Sequence, residues 1–442
     1  MKTDEGLIRA VGVRALTAAI INYTVGAGIF VLPAAVAGTV GAAAPVAYVV
    51  CAVAMALIVA CFASAGSRVS LSGGTYAYAE IAFGPYIGFM VAMILWFGSA
   101  VMASAFVVNV FVEALGQIVP ALAGTVAKDA IILVVYAVLA VVNIRGVKIG
   151  SRVVQTVTVA KMLPLLILVA FGFFAIHGAN LTWPGMPSAS NLARTSTVLI
   201  FAFLGVESAL TPSGEVKDPA RTVPRAIFTA LALTTILYIA IQVVSQGIIG
   251  AELATNTKAP LAEAAGRALG SAGKSLVLIG AAISTLGYVA GDMLCSPRGI
   301  YALGRDGLIP PIIGRVNTRF STPDVAIVIH AVLCTVFAIS GTYNTLLIVS
   351  VLSTLVVYAI CCLATIQLKR KNIRDEGAIP FNVPGGPVIP ILATGMVVWL
   401  MSSSTRQEFT AMAVMAVVLT LLFFVMRMTR ASAPTIPQVI EE

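Results

Sequence analysis

Residues 15–37 read ALTAAIINYTVGAGIFVLPAAVA. The stretch suffices to cross a bilayer, since about 20 apolar residues at about 1.5 Å each span the hydrocarbon. Its middle, Tyr23-Thr24-Val25-Gly26-Ala27-Gly28-Ile29-Phe30, sets two glycines around one small residue, with Pro33 beyond. Such a segment lets the backbone leave the helix and exposes N–H groups at the start of a second half-helix. Those donors suit a carboxylate. Small residues also serve close packing of membrane helices, and spacing alone leaves both uses open.

Beyond this stretch the chain is uniformly apolar. Of 442 residues, 59% are hydrophobic and 10% charged, with mean hydropathy +1.01; soluble domains are roughly 25% charged. That excludes a soluble enzyme, a disordered chain and a nucleic-acid binder. Runs of about 20 apolar residues, in place of short alternating strands, exclude a membrane barrel. Twelve candidate spans follow: 15–37, 43–66, 86–116, 129–144, 153–176, 195–213, 225–249, 273–297, 324–341, 344–368, 387–404 and 409–429. No stretch between them is long enough for a separate domain. Cys51, Cys61, Cys295, Cys334, Cys361 and Cys362 fall in apolar runs without a CxxC pair, so neither a zinc site nor a disulfide framework is expected. The first 14 residues are polar, and the run after them is too long for the core of a cleavable signal.

Lys and Arg set the expected orientation. With the N-terminus inside, 20 of the 27 fall on the cytoplasmic side and six on the other, while Lys161 lies within a span. Both termini, 1–14 and 430–442, are therefore expected in the cytoplasm of a cell whose inner membrane holds the chain. The basic pI of about 9.4 reflects topology and implies no nucleic acid.

A second break is expected in span 6, where Phe201-Ala202-Phe203-Leu204-Gly205-Val206-Glu207-Ser208-Ala209 pairs an intramembrane glycine with an acid near Pro212. Spans 1 and 6 are five apart, the spacing that two five-helix inverted repeats impose. On this reading 15–176 and 195–368 are the repeats of a ten-helix core, and 387–429 adds two helices. An echo accompanies them: Ala79-Glu80-Ile81-Ala82-Phe83-Gly84 precedes span 3, and Ala264-Ala265-Gly266-Arg267-Ala268-Leu269-Gly270 precedes span 8. Both read as short interfacial helices ending in glycine.

Taken together, certain motifs resemble the amino acid–polyamine–organocation (APC) transporters. They are Gly26-Ala27-Gly28-Ile29-Phe30, Ser72-Gly73-Gly74-Thr75-Tyr76-Ala77-Tyr78 and Phe203-Leu204-Gly205-Val206-Glu207-Ser208. Gly214-Glu215-Val216-Lys217-Asp218-Pro219, Val223-Pro224-Arg225 and Gly304-Arg305-Asp306-Gly307-Leu308-Ile309-Pro310 complete the set. The likeness is nearest to bacterial amino-acid permeases and basic amino acid/polyamine antiporters. It implies an all-helical fold of five plus five inverted repeats with two extra helices, carrying amino acids or their amines by alternating access. It maps the substrate carboxylate to the N–H groups of Ala27, Gly28 and Ile29 beside Gly26, and the ammonium to carbonyls near Tyr23, Phe201 and Leu204. The Phe201 ring takes the place of an aromatic gate. Dimers occur among such proteins, but no homodimer interface is identifiable in this sequence.

Three charges inside spans need partners or functions. Lys161 lies about 15 Å into span 5. The resemblance makes it a tethered cation in the place of a sodium site, able to exchange a proton; alternatively it caps carbonyls of span 1 and links two helices. Glu207 beside the second break serves gating or protonation by resemblance, or sits as a neutral carboxyl bonded to helix-end groups. Asp292 stands where the arginine-type antiporters carry a large aromatic. It can meet a cationic side chain, carry a proton, pair with Arg298 or Arg305, or face a vestibule. His330 reads as a packed histidine, and Trp96, Trp183 and Trp399 as packing or interface residues. Ser350, Ser353 and Thr354 can touch substrate or bond their own helix.

The Walker-like string Ala268–Ser275 has no strand before it and falls on the side opposite the cytoplasm, so ATP drive is unsupported. No cofactor or metal is expected. An embedded enzyme would need clustered ligands or nucleophiles, and a channel a ring of filter residues; neither pattern is present. The expectation is a sodium-independent amino-acid carrier working by exchange or proton coupling. A cationic amino acid or amine antiporter is the alternative, and a sensor that binds without flux the remote one.

Overall fold

A computed structural model of the chain describes residues 12–69, 74–145, 151–183, 185–205, 216–373, 380–383 and 385–431. These residues form helices and turns, with no strand. Apolar surroundings leave backbone groups no water to bond, so each apolar run satisfies its own ladder as a helix. The first run is two helices, α1 (Val13–Thr24) and α2 (Gly28–Val40). Neither half, at about 20 Å, would span the bilayer alone. α3 (Ala44–Gly66), α4 (Thr75–Phe83) and α5 (Pro85–Met93) follow, and α5 continues through a π-helical stretch, Ile94–Val101, into α6 (Met102–Ile118). Next come α7 (Thr125–Ile144), α8 (Ser151–Gly172), α9 (Ala189–Ile200), α10 (Pro219–Ile249) and α11 (Pro260–Arg305). The chain closes with α12 (Asp324–Ser340), α13 (Tyr343–Arg370), α14 (Val388–Met401) and α15 (Arg406–Ala431).

Each of the twelve expected spans overlaps helix among the described residues; of the sixth, only 195–205 are described. Among the described residues, seven helical stretches are long and apolar enough to cross a membrane, and Ala160–Ala175, Asp324–Ser340 and Val388–Met401 are shorter apolar helices. The chain is a multi-pass helical membrane protein. The two short helices expected before spans 3 and 8 are also present. α4 ends at Gly84 (φ 95°), and α11 is broken at Gly270 (φ 71°), which separates a leading segment from the long helix. Positive φ costs glycine little, so both positions turn the chain sharply where a residue with a Cβ would be strained.

α3, α13 and the α5–α6 rod are largely buried, whereas α7 and α15 expose most of their surface. Apolar side chains cover both kinds, so the exposed flanks suit lipid and the buried ones form the centre of the bundle. Around that centre α10 packs on α3 and α1, and α11 on α6 and α8. At one α8–α11 crossing, a Cβ on Gly280 would stand 2.5 Å from the Pro164 ring, so only glycine permits that approach.

Candidate functional site

The two breaks meet face to face. α1 stops at Thr24, and residues 25–27 turn before α2 begins. The Val25 and Gly26 N–H groups bond Ile21 O (2.8 Å) and Thr24 O (2.9 Å). The first N–H groups of α2, at Gly28 and Ile29, have no carbonyl within their own helix, as at any helix start. In the sixth apolar run, α9 ends at Ile200. Phe201–Phe203 form one 3-10 turn, Leu204 is extended and Gly205 has φ 109°. Backbone touches backbone between the breaks. A Cβ on Gly28 would lie 2.9 Å from Ala202 Cα, and one on Gly205 would lie 2.8 Å from Tyr23 O.

Tyr238 on α10 ties the two together. Its buried hydroxyl lies 3.0 Å from Thr24 O and 2.8 Å from Ala202 O, one carbonyl from each break. Sequence reading passed over this residue, since a tyrosine in an apolar run carries no signal of what its hydroxyl meets. Thr24 adds a second missed feature: its Oγ1 is buried and has no hydrogen-bond partner among the described residues. Tyr238→Phe would keep the edge contact with Phe203 (centroids 5.3 Å apart) and remove the bridge. A loss of about 1–3 kcal/mol is expected from the unpaired carbonyls, read as a lower unfolding midpoint in detergent.

The expected binding residues gather here. Tyr23 is 45% exposed and Gly26 half-buried, whereas Ala27, Gly28 and Ile29 are buried. Leu204 is half-buried, and its N–H bonds Phe201 O at 3.3 Å. The Phe201 ring packs edge-on against Phe106 (4.9 Å), which meets Tyr343 (4.4 Å). Tyr343 lines a cavity of about 940 Å³ that also contains Glu113, Lys128, Lys258 and Arg194. Glu113 bonds Lys128 at 2.5 Å and Lys258 at 3.5 Å. An aromatic stack thus connects the second break to a charged vestibule.

Lys161 on α8 is buried, and its Nζ donates to Asn22 O. Asn22 lies in the last turn of α1, where carbonyls lack intrahelical partners and the helix dipole favours a cation. The geometry is that of an ammonium joining two helices at the break. Glu207, and Ser72-Gly73 at the start of the Ser72–Tyr78 motif, lie outside the described residues.

Asp292 lies on the same long helix, α11, whose Tyr288 approaches Gly26. Arg305 is held by its neighbour Asp306 at 3.0 Å. Asp292 instead accepts from Ser296 Oγ at Oδ1, and its Oδ2 lies 2.8 Å from His330 Nε2. His330 is fully buried, and its Nδ1 accepts from Trp96 Nε1–H at 3.1 Å. Cys334 Sγ lies 3.5 Å from His330 Nε2. The donor atoms of Asp292, His330 and Cys334 fall within 4.8 Å of one another, but the trio does not fit a metal. Trp96 occupies Nδ1 as an acceptor, so the imidazole proton stands on Nε2, the atom an ion would need. Metal at Nε2 would drive that proton to Nδ1, against the indole N–H.

Of the span 10 hydroxyls, Ser350 donates to Ser99 O (3.2 Å), while Thr354 bonds both Ser350 O and the Ser99 hydroxyl. They join α13 to the π-helical stretch of the third run.

The profile of a family described as "Amino acid permease" matches residues 11–438. The methylthioribose transporter of Bacillus subtilis is 26% identical over 95% of this chain and 94% of its own length. The L-lysine transport protein of Corynebacterium glutamicum is 33% identical over 70% of this chain and 64% of its own. The branched-chain amino acid permease BcaP of B. subtilis is 27% identical, covering 88% of this chain and 87% of its own.

Proposed function

The chain belongs to the amino acid permease family, and from that premise we propose that it is a secondary active transporter moving an amino acid across the cytoplasmic membrane. It works by alternating access, without sodium, by exchange or proton coupling. The observation that carries this reading is the backbone contact between the two helix breaks, Gly28 on Ala202 and Gly205 on Tyr23. A soluble-protein core gains nothing from two interrupted helices at its centre, whereas a carrier gains polar backbone groups there.

The layout follows: twelve helices, of which 15–176 and 195–368 are inverted five-helix repeats and 387–429 the added pair, with both termini in the cytoplasm. The breaks at α1–α2 and after α9 occupy corresponding places, as do the glycine-ended segments before α5 and within α11. The N–H groups of Ala27, Gly28 and Ile29 hold the substrate carboxylate, and carbonyls at Tyr23, Phe201 and Leu204 hold its ammonium. The unpartnered Thr24 hydroxyl adds a polar group beside them. Phe201 closes over the substrate from the vestibule side, and Glu207 takes part in gating. Lys161 supplies a tethered cation at the α1 end in place of sodium, one able to exchange a proton.

A second reading, a cationic amino acid or amine, draws on the lysine named by one relative and on Asp292. The test is uptake of labelled neutral and cationic amino acids, with methylthioribose included, into sodium-free proteoliposomes, empty and preloaded. Uptake confined to preloaded vesicles identifies an exchanger. Uptake into empty vesicles under an inward proton gradient identifies a symporter. No transport of any amino acid in either case overturns the reading.

A further inference from the structure

We propose that Asp292 and His330 form an intramembrane proton-binding site, with Asp292 as the group that takes the proton, and that its occupancy couples proton movement to transport. The proposal rests on the transporter reading above and adds to it a proton site other than Lys161.

Donor and acceptor matching shows how the pair works. His330 Nδ1 is filled by the Trp96 N–H, so His330 is neutral and donates its one N–H from Nε2 to Asp292 Oδ2. Ser296 donates to the other oxygen. The carboxylate thus has two donors and one uncompensated negative charge inside the bundle, its side chain 6% exposed. Such a charge is costly at membrane depth. A proton added to Oδ1 converts the carboxylate to the acid. Ser296 then turns to accept from that O–H, and His330 still donates to Oδ2. Every partner remains bonded in both states, and the site changes by one unit of charge. Protonating His330 instead would set its Nδ1–H against the indole N–H, so the proton goes to the acid.

Among the described residues, no lysine or arginine forms an ion pair with Asp292. Cys334 of α12 and Tyr136 of α7 are near, and Tyr136 bonds the Ser104 hydroxyl of α6 at 3.0 Å. On α11 itself the neighbours are Cys295 and, beyond it, Arg298. Of the other elements packed on α11, α2 has no titratable residue. Tyr86 of α5 bonds Thr420, and α10 and α8 commit Tyr238 and Lys161 to backbone carbonyls of α1; further cations are Arg221 of α10, paired with Asp218, Arg225 of α10, and Lys128 of α7, paired with Glu113 of α6.

Position supplies the link to transport. One turn beyond Asp292, Cys295 is exposed and stands beside the exposed Tyr23 at the first break. One turn before Asp292, Tyr288 faces Gly26. Trp96 reaches His330 from the π-helical stretch, a local widening frequently found at functional sites. Charge at Asp292 fastens α11 to α12 through His330. Neutralising it loosens that tie on the helix that also faces the break.

Trp96 makes the site visible without any substrate. In the full chain carrying Trp183→Phe and Trp399→Phe, Trp96 is the sole tryptophan, and its emission is followed from pH 4 to 9 in detergent. One titration step is expected, absent in Asp292→Asn and present with a moved midpoint in Asp292→Glu. Gel filtration checks that each variant is folded, and Asp292→Ser is the second variant should Asp292→Asn fail to fold; it too should lose the step, whereas His330→Gln, whose amide can accept from Trp96 and donate to Asp292, should keep it. A step that survives in folded Asp292→Asn or Asp292→Ser, its loss from folded His330→Gln, or its absence from the parent overturns the proposal. In proteoliposomes, the parent should take up protons together with substrate and Asp292→Asn should lose that proton movement; coupled proton uptake persisting in Asp292→Asn overturns the coupling. If the parent carries no amino acid, the transporter reading falls and the coupling with it, while the titration still decides the proton site.

Discussion

Gly28→Ala should cut substrate exchange by about 5- to 100-fold while leaving a folded protein. The added Cβ would stand 2.9 Å from Ala202 Cα and 3.2 Å from both its Cβ and its N. Backbone cannot yield there as a flexible side chain would, so the two breaks must move apart. Overpacking of this kind costs about 1–3 kcal/mol, and each 1.4 kcal/mol is about tenfold in an equilibrium. Gly28→Val should abolish transport. The measurement is the initial rate of exchange in preloaded vesicles. Gly395→Ala is the control, since a Cβ at that position in α14 meets nothing within 4 Å; it should leave the rate unchanged. An undiminished rate in Gly28→Ala would mean that contact between the breaks is not needed for transport.

Lys161→Ala should abolish accumulation of substrate against its gradient. The substitution leaves Asn22 O without its donor at the end of α1 and removes the cation from the centre of the bundle. An unsatisfied buried carbonyl costs about 1–3 kcal/mol, which thermal unfolding in detergent should report. Two readouts separate structure from coupling. A purely structural lysine would lower the unfolding midpoint and slow all flux alike. A coupling lysine would remove the response to an imposed proton gradient beyond its effect on exchange. Uptake by Lys161→Ala with the pH dependence of the parent would take Lys161 out of the mechanism. Tyr238→Phe complements this experiment, because it loosens the same end of α1 without changing charge.

The hydropathy pattern made the helices legible, because in an apolar medium length and composition leave the backbone few alternatives. Glycine spacing made both breaks legible for the same local reason. Gly26 and Gly28 stand where α1 gives way to α2, and Gly205 takes a left-handed φ after α9. Gly84 and Gly270 likewise end the short helices before the third and eighth runs. Periodicity did not reveal that the third run passes through a π-helical stretch, since one extra residue per turn hardly alters an apolar pattern.

What hydroxyls, amines and imidazoles would touch was not legible. Lys161 could be recognised as a buried cation, but its partner Asn22 O is a backbone atom 139 residues away. Tyr238 looked like any apolar-run tyrosine until packing put carbonyls from both breaks within reach of its hydroxyl. The sequence leaves Asp292 open to a cationic side chain, a proton, Arg298, Arg305 or a vestibule, and it gives His330 only a packing role. Tertiary structure joins them, and Trp96 reaches His330 from 234 residues away. Sequence alone determined where helices form and where they stop, because both follow from local backbone chemistry. The pairing of buried polar groups was decided only by the packing of α1, α8, α10, α11 and α12, because a hydrogen bond needs its partner within about 3 Å and chain separation says nothing of that distance.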